Sequence, residues 1–238
     1  MFDFHTYYNI EGPCLLNVDT VELLPSYPEQ VRLSVGLHPW KVDAGWQEAV
    51  DSIRQEAMRE DVWAIGECGL DRVRGAALPL QAEAFRAQMA IAEEVRKPMV
   101  IHCVRALDEL LALRREVAEQ CRRRGEEPQL WVVHGFRGKP EQAKQLMAKG
   151  MLLSFGHRYN VETLRSVFAS FQERVTKDAP SCLNPFFLET DDLHLSVRQI
   201  YEQVARHLGV DVSLLVPLCD PRQTLFARQK TVSRGTAF

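Results

Sequence analysis

The chain has 238 residues, 46% hydrophobic and 26% charged, a size that suits one barrel-scale domain with a large core, spanning 1–238, rather than two small ones. A net charge of −3 excludes general attraction to nucleic acid, so any phosphate recognition has to be local. No apolar run would span a bilayer, the start MFDFHTYYNI lacks the regions of a signal peptide, and six cysteines occur without a CxxC pair; together these predict a reduced, cytoplasmic protein.

In chain order, Phe2–His5 and Cys14–Val18 read as short strands. The connection between them, broken by Gly12 and Pro13, is shorter than the dozen or so residues of a parallel crossover, so the first helix is shortened or missing. Val31–Gly36 alternates as a strand and runs into LHPW. Trp46–Arg59 carries the spacing of an amphipathic helix, with Asp43 as its expected N-cap. Val62–Gly66 is the next strand and leads into ECGLD. Leu80–Arg96 is a long helix of good helix formers, stopped by Lys97-Pro98. There follow strand Pro98–Cys103, helix Ala106–Arg124, strand Leu130–His134, helix Pro140–Lys149 and strand Met151–Phe155. Helix Val161–Gln172, strand Phe186–Glu189, helix Ser196–Leu208 and a short helix over Pro221–Lys230 complete the series.

From the third strand onward every strand is separated from the next by a helical pattern. Such alternation predicts a closed (β/α)8 barrel of the TIM type. An open doubly wound sheet is the runner-up, but it wants a glycine-rich phosphate turn after the first strand, and HTYYNIEG is not one.

In the barrel arrangement His5, Glu67, His102, His134 and Asp191 fall at carboxyl ends of strands. Imidazoles and carboxylates are costly at the edge of a core unless something pairs with them. Three imidazoles and two carboxylates at one barrel mouth form a donor set suited to divalent zinc, manganese or magnesium, one ion or two. Any single histidine here reads equally as a hydrogen-bonded structural residue, and Asp191 alone as a helix N-cap. Five together favour the metal.

The motifs GLHPW (36–40), GECGLD (66–71), IHCVRA (101–106), HGFRG (134–138) and FLETD (187–191), in this order, resemble those of the TatD family of metal-dependent hydrolases, over Asp3 to about Phe226. The resemblance implies an amidohydrolase-like barrel and deoxyribonuclease or phosphodiesterase activity with two divalent cations. It implies that Glu67 bridges the ions, that His102 and His134 hold one and His5 with Asp191 the other. Glu67 and Asp191 are then the catalytic pair, Asp191 orienting or deprotonating the attacking water. Two motifs depart from the family pattern. Its H-x-H pair is His5-Thr6-Tyr7 here, and a phenol is a poor ligand for these ions, so the ion at His5 and Asp191 is expected to be weaker. An arginine expected two residues after His102 is replaced by Val104, with Arg105 following and pointing elsewhere.

Among the remaining residues, Arg137 sits in a glycine-flanked loop beside His134, and its planar fork suits a phosphate oxygen. His38 is read equally as a rigid turn residue before Pro39 and as a contact to substrate or metal. His157 and Arg158 read as a solvated loop at the mouth, His194 as a loop residue able to compensate for Tyr7, and His207 as structural. Arg122-Arg123-Arg124 reads as positive charge at a helix C-terminus rather than a nucleic-acid patch. Trp63, Trp131, Phe186 and Phe187 read as core. The leading expectation is a phosphate-ester hydrolase, with DNA as a candidate polymer substrate and no protein partner inferable. The alternatives are amide or cyclic-amidine hydrolysis on the same barrel, against which the lack of a strand-end lysine for carbamylation counts, and a catalytically weakened binding protein.

Overall fold

A computed structural model of the chain describes residues 1–8, 11–19, 27–177 and 185–226. Eight parallel strands follow one another round a single sheet: β1 (Asp3–Thr6), β2 (Cys14–Asp19), β3 (Val31–Gly36), β4 (Val62–Asp71), β5 (Met99–Val104), β6 (Trp131–Val133), β7 (Met151–Phe155) and β8 (Phe187–Leu188). A bridge between Thr6 and Asp191 joins the last strand back to the first, so the TIM-type barrel is nearly closed. Among the described residues no helix separates β1 from β2. From β3 onward the helices α1 (Trp46–Glu56), α2 (Leu78–Val95), α3 (Leu107–Arg124), α4 (Pro140–Met147), α5 (Val161–Lys177) and α6 (Val197–Leu208) alternate with the strands, and α7 (Val212–Leu218) follows α6.

Strand alternation divides the apolar residues into two cores. One lies between the sheet and the helices, and includes Leu33, Ile65, Phe85, Ile101, Trp131, Phe155 and Tyr201. The other fills the barrel interior with Phe2, Phe4, Leu15, Ala64, Val100, Val132 and Phe187, closed below by Leu225 and Phe226. Phe4 and Phe187 stack there with ring centroids 4.4 Å apart. Because side chains on a strand repeat every second residue, the positions two further along from this apolar layer also face inward. They are Asn17 after Leu15, His102 after Val100, His134 after Val132, Ser154 after Leu152 and Glu189 after Phe187. A polar layer therefore sits directly on an apolar floor.

Several local expectations are corrected. β4 does not stop at Gly66 but continues to Asp71, so Glu67 lies within the strand rather than at its end. The glycines permit this by close approach: a Cβ on Gly66 would meet Val100 O at 2.5 Å, and one on Gly69 would meet His102 O at 2.1 Å. Asp43 is not the α1 N-cap residue; Gly45 is, and Asp43 Oδ1 accepts its backbone N–H at 2.8 Å. Of the proposed final helix, only a 3-10 turn at Pro221–Gln223 is present, and residues beyond 226 lie outside the described ones. Trp131, Phe186 and Phe187 are buried as expected, while Trp63 is partly covered, with the Arg32 guanidinium 4.7 Å from its ring centre. Arg122 and Arg123 pair with Glu119 and Arg124 with Glu126 at the end of α3, away from the mouth.

Candidate metal centre

Glu67 is the hub. The regular alternation of β4 would turn Gly66 inward after Ala64, but the register against β5 shifts between Ile65 and Cys68, and Glu67 reaches the interior instead. Its backbone N–H is held by Asn17 Oδ1. Its carboxylate is 2% exposed as a residue and meets five side chains from four other strands or their loops. Oε1 lies 2.7 Å from His102 Nδ1, 2.7 Å from His134 Nε2 and 3.0 Å from His38 Nε2. Oε2 lies 3.1 Å from His5 Nε2 and accepts the Tyr7 hydroxyl at 2.7 Å.

The far nitrogen of each of two imidazoles is tied to another carboxylate. His102 Nε2 stands 3.0 Å from Asp71 Oδ2, which also accepts the Trp40 indole N–H at 2.6 Å. His134 Nδ1 stands 3.3 Å from Glu189 Oε1, which accepts Gly135 N–H at 2.7 Å. A carboxylate accepting one ring N–H fixes the tautomer, so in the neutral rings the opposite nitrogen turns a lone pair toward Glu67. His38 is held the other way: its Nδ1 accepts Trp40 N–H at 3.1 Å, so the neutral ring carries its proton on Nε2 and donates it to Glu67 Oε1 at 3.0 Å. Lone pairs aimed at a carboxylate repel it unless a positive charge lies among them. Such a donor set fits a divalent cation.

Ligand atoms of His5, Glu67, His134 and Asp191 lie within 4.8 Å of one another, and those of His38, Glu67 and His102 do so as a second group. All five residues expected at the mouth are thus brought together. By mutual distance His134 falls with His5 and Asp191, and His102 with His38, while Glu67 Oε1 is shared by His102 and His134 and Oε2 faces His5. Asp191 follows β8 with φ 57°, a left-handed conformation that Asp tolerates better than most residues. Its N–H donates to His5 O at 2.9 Å and its carbonyl accepts Tyr7 N–H at 3.1 Å, while Oδ1 lies 3.7 Å from His5 Nε2.

The groups around Glu67 perturb one another strongly. Burial would raise the Glu67 carboxyl, but His134, His102 and His38 hold it well below the usual carboxylate range. Burial opposes charge on His134, yet Glu67 and Glu189 raise this imidazole well above its ordinary value. Glu189 is lowered despite complete burial, by His134 and His5. Asp191 is raised, chiefly by burial and further by Glu189 and Glu67, and so is the carboxyl most ready to take a proton.

The remaining candidates are placed as follows. Arg137 is exposed in the loop after β6. Burial and the Arg158 and Arg137 charges lower the His157 imidazole, which puts these three groups in one electrostatic neighbourhood beside the mouth. His194 does not join the ligand groups; it stacks on Tyr8 at 4.5 Å. Arg105 is exposed at φ 51°, and its carbonyl accepts Arg72 Nε–H at 2.9 Å. His207 is 2.8 Å from the Tyr159 hydroxyl, a structural contact. Sequence reasoning missed Glu189 and Asp71 as partners of the ligand histidines. The signal was present, since Glu189 lies two residues after the inward Phe187.

Comparison with known proteins adds an independent line. The family model described as TatD related DNase matches residues 14–214. A 3'-5' ssDNA/RNA exonuclease TatD of Dickeya dadantii is 30% identical over 185 residues, covering 77% of this chain and 65% of that protein. An uncharacterized metal-dependent hydrolase YabD of Bacillus subtilis is 28% identical over 172 residues, covering 72% of this chain and 62% of that protein. The alignments thus span a little under two thirds of these relatives' length. Among solved structures, the TatD homologue YjjV of Escherichia coli matches with a TM-score of 0.64 at 20% identity, over 93% of this chain and 86% of that one. An uncharacterized amidohydrolase from Saccharomyces cerevisiae matches with a TM-score of 0.61 at 14% identity, over 93% of this chain and 88% of that one.

Proposed function

We propose, from the premise that the chain belongs to the TatD related DNase family, that it is a metal-dependent hydrolase of phosphate esters, a nuclease-type phosphodiesterase. The observation that carries this reading is the set of imidazole nitrogens converging on the buried Glu67 carboxylate. His5, Glu67 and Asp191 would hold one ion, and Glu67, His102 and His134 a second, with magnesium, manganese and zinc the candidates, while His38 donates to the shared carboxylate. A divalent ion at such a site supplies Lewis acidity toward a phosphoryl oxygen and acidifies a water.

The chain's own residues do the rest. Asp191, set beside His5 just after β8, orients the attacking water and accepts its proton. Asp71 and Glu189 hold the ligand rings in one tautomer and one orientation. Arg137 offers a planar pair of donors to a phosphate oxygen from the exposed loop. The Tyr7 hydroxyl donates to Glu67 Oε2, so it orients the bridging carboxylate but adds no strong ligand.

The test is hydrolysis of a chromogenic phosphodiester and of a single-stranded oligonucleotide, with and without added Mn²⁺ or Mg²⁺. Glu67→Gln and His134→Ala should each abolish metal-dependent turnover of folded protein. Full activity in either variant removes this mechanism, and turnover of a hydantoin in place of the diester would move the chemistry to C–N bonds.

A further inference from the structure

The exposed apolar side chains are unevenly placed. Among the described residues the large ones are Tyr8, Trp40, Met58, Val73 and Leu214. Three of the five, Tyr8, Trp40 and Val73, lie in the segments that leave the carboxyl ends of β1, β3 and β4, on the rim of the metal centre. An exposed aromatic ring loses hydration free energy that burial would recover, and grouping at a mouth marks a surface meant to be covered.

Two of them are already assembled into stacks. Tyr8 is 55% exposed and lies nearly parallel to the His194 ring, centroids 4.5 Å apart and planes inclined by 24°. Trp40 is 42% exposed, and the Arg74 guanidinium carbon lies 3.8 Å from its ring centre. The second stack is rigid. Trp40 donates its indole N–H to Asp71 and packs edge-on against His38 and His102 at 4.7 and 5.7 Å. Arg74 is set by its own N–H to Asp71 Oδ1 at 3.0 Å, and Gly75, at φ 89°, lets the loop close onto the backbone at Pro39 and Trp40. An open volume of about 360 Å³ lies along this loop, lined by residues 71–78. Tyr8 and His194 each lie three residues beyond His5 and Asp191, with the Tyr7 ring between Tyr8 and His5, and the second stack packs on His38 and His102, so the two stand at separate points of the rim.

We propose that Tyr8 on His194 and Arg74 on Trp40 are two base-stacking platforms that hold successive nucleobases of a single strand on either side of the scissile phosphate. This rests on the phosphodiesterase reading above. Stacked aromatic and guanidinium planes accept any base but need its π-face free, which a duplex does not offer. The guanidinium also carries charge for the backbone, where a protein of net charge −3 has no general attraction to provide.

The experiment measures binding of a fluorescein-labelled single strand of about ten nucleotides by anisotropy, using full-length protein in chelator, so that cleavage is not required. Tyr8→Ala and Arg74→Ala should each weaken binding about ten-fold, with Tyr8→Phe restoring it and Arg74→Lys not. The control Met58→Ala should bind as wild type. In parallel, the kcat for metal-dependent turnover of methyl p-nitrophenyl phosphate, a diester without nucleobases, should be unchanged in both alanine variants. Oligonucleotide affinity within two-fold of wild type in both alanine variants, or equal losses on the small diester, would overturn the platforms. A wild-type protein that hydrolyses neither substrate refutes the enzymatic reading separately, because the binding measurement needs no turnover.

Discussion

Replacing Glu189 by Gln isolates the charge of a single buried group. The amide keeps the shape of the side chain and an oxygen able to accept from Gly135 N–H and His134 Nδ1–H, now 2.7 and 3.3 Å from Oε1. What is lost is a negative charge beside an imidazole that has to face a cation. At an effective dielectric of about 20, Glu189 and a protonated His134 attract by about 5 kcal/mol at the 3.3 Å separation; a neutral ring facing an ion feels only part of this, so the figure is an upper bound. The net effect of such outer partners on metal binding is about ten- to a hundred-fold, or about 1.4 to 2.7 kcal/mol. Isothermal titration of chelated protein with Zn²⁺ or Mn²⁺ should therefore show a first ion bound about ten-fold or more weakly in the variant, while its circular dichroism is unchanged. A first-ion affinity matching wild type within two-fold would mean that Glu189 merely fills space.

Tyr7→His should restore a nitrogen donor beside His5 and Glu67 and tighten the ion at the His5 group, and a calorimetric isotherm identical to wild type would rule this out. The metal-free protein should lose stability as pH rises. His134 is raised in the folded state, so its contribution is complete below the ordinary imidazole value of 6.5 and is lost as pH climbs through the higher folded value. A cation displaces that proton, so titrations at neutral pH in buffers of different ionisation enthalpy should reveal proton release; heats independent of buffer would contradict it. Gly69→Ala places a Cβ 2.1 Å from His102 O at φ 140° and should cost about 3 kcal/mol or more in urea denaturation. A melting curve close to wild type would show that β4 and β5 are not in this register.

The barrel was legible because its strands advertise themselves: VWAIG, MVIHC and WVVHG are apolar runs that can only be buried on both faces. His102 and His134 stood out for the same reason, as polar residues interrupting those runs. Other features depend on partners far away in sequence. Glu189 looks like a strand terminus until the 54 residues separating it from Gly135 are folded away. Asp71 looks like a turn residue, since Gly66 and Gly69 mimic chain breakers when they are in fact points of close approach between β4 and β5. Helix α7 was missed because Pro217 lies inside it and it has only seven residues.

The joint between Thr6 and Asp191 is where the first and last strands of the ring meet, and few backbone contacts fasten it. Asp191 donates its N–H to His5 and accepts that of Tyr7, and Asp3 receives both the amide and the hydroxyl of Thr190. Because His5 and Asp191 are also candidate ligands of one ion, a cation held there would act as a clasp between two ends of a very long loop, the geometry in which a cross-link removes the most freedom from the unfolded chain. Stripping the ion would then do more than silence chemistry: it would let the ring spring at its seam, and amide exchange in β1 and β8 would quicken ahead of the rest of the sheet.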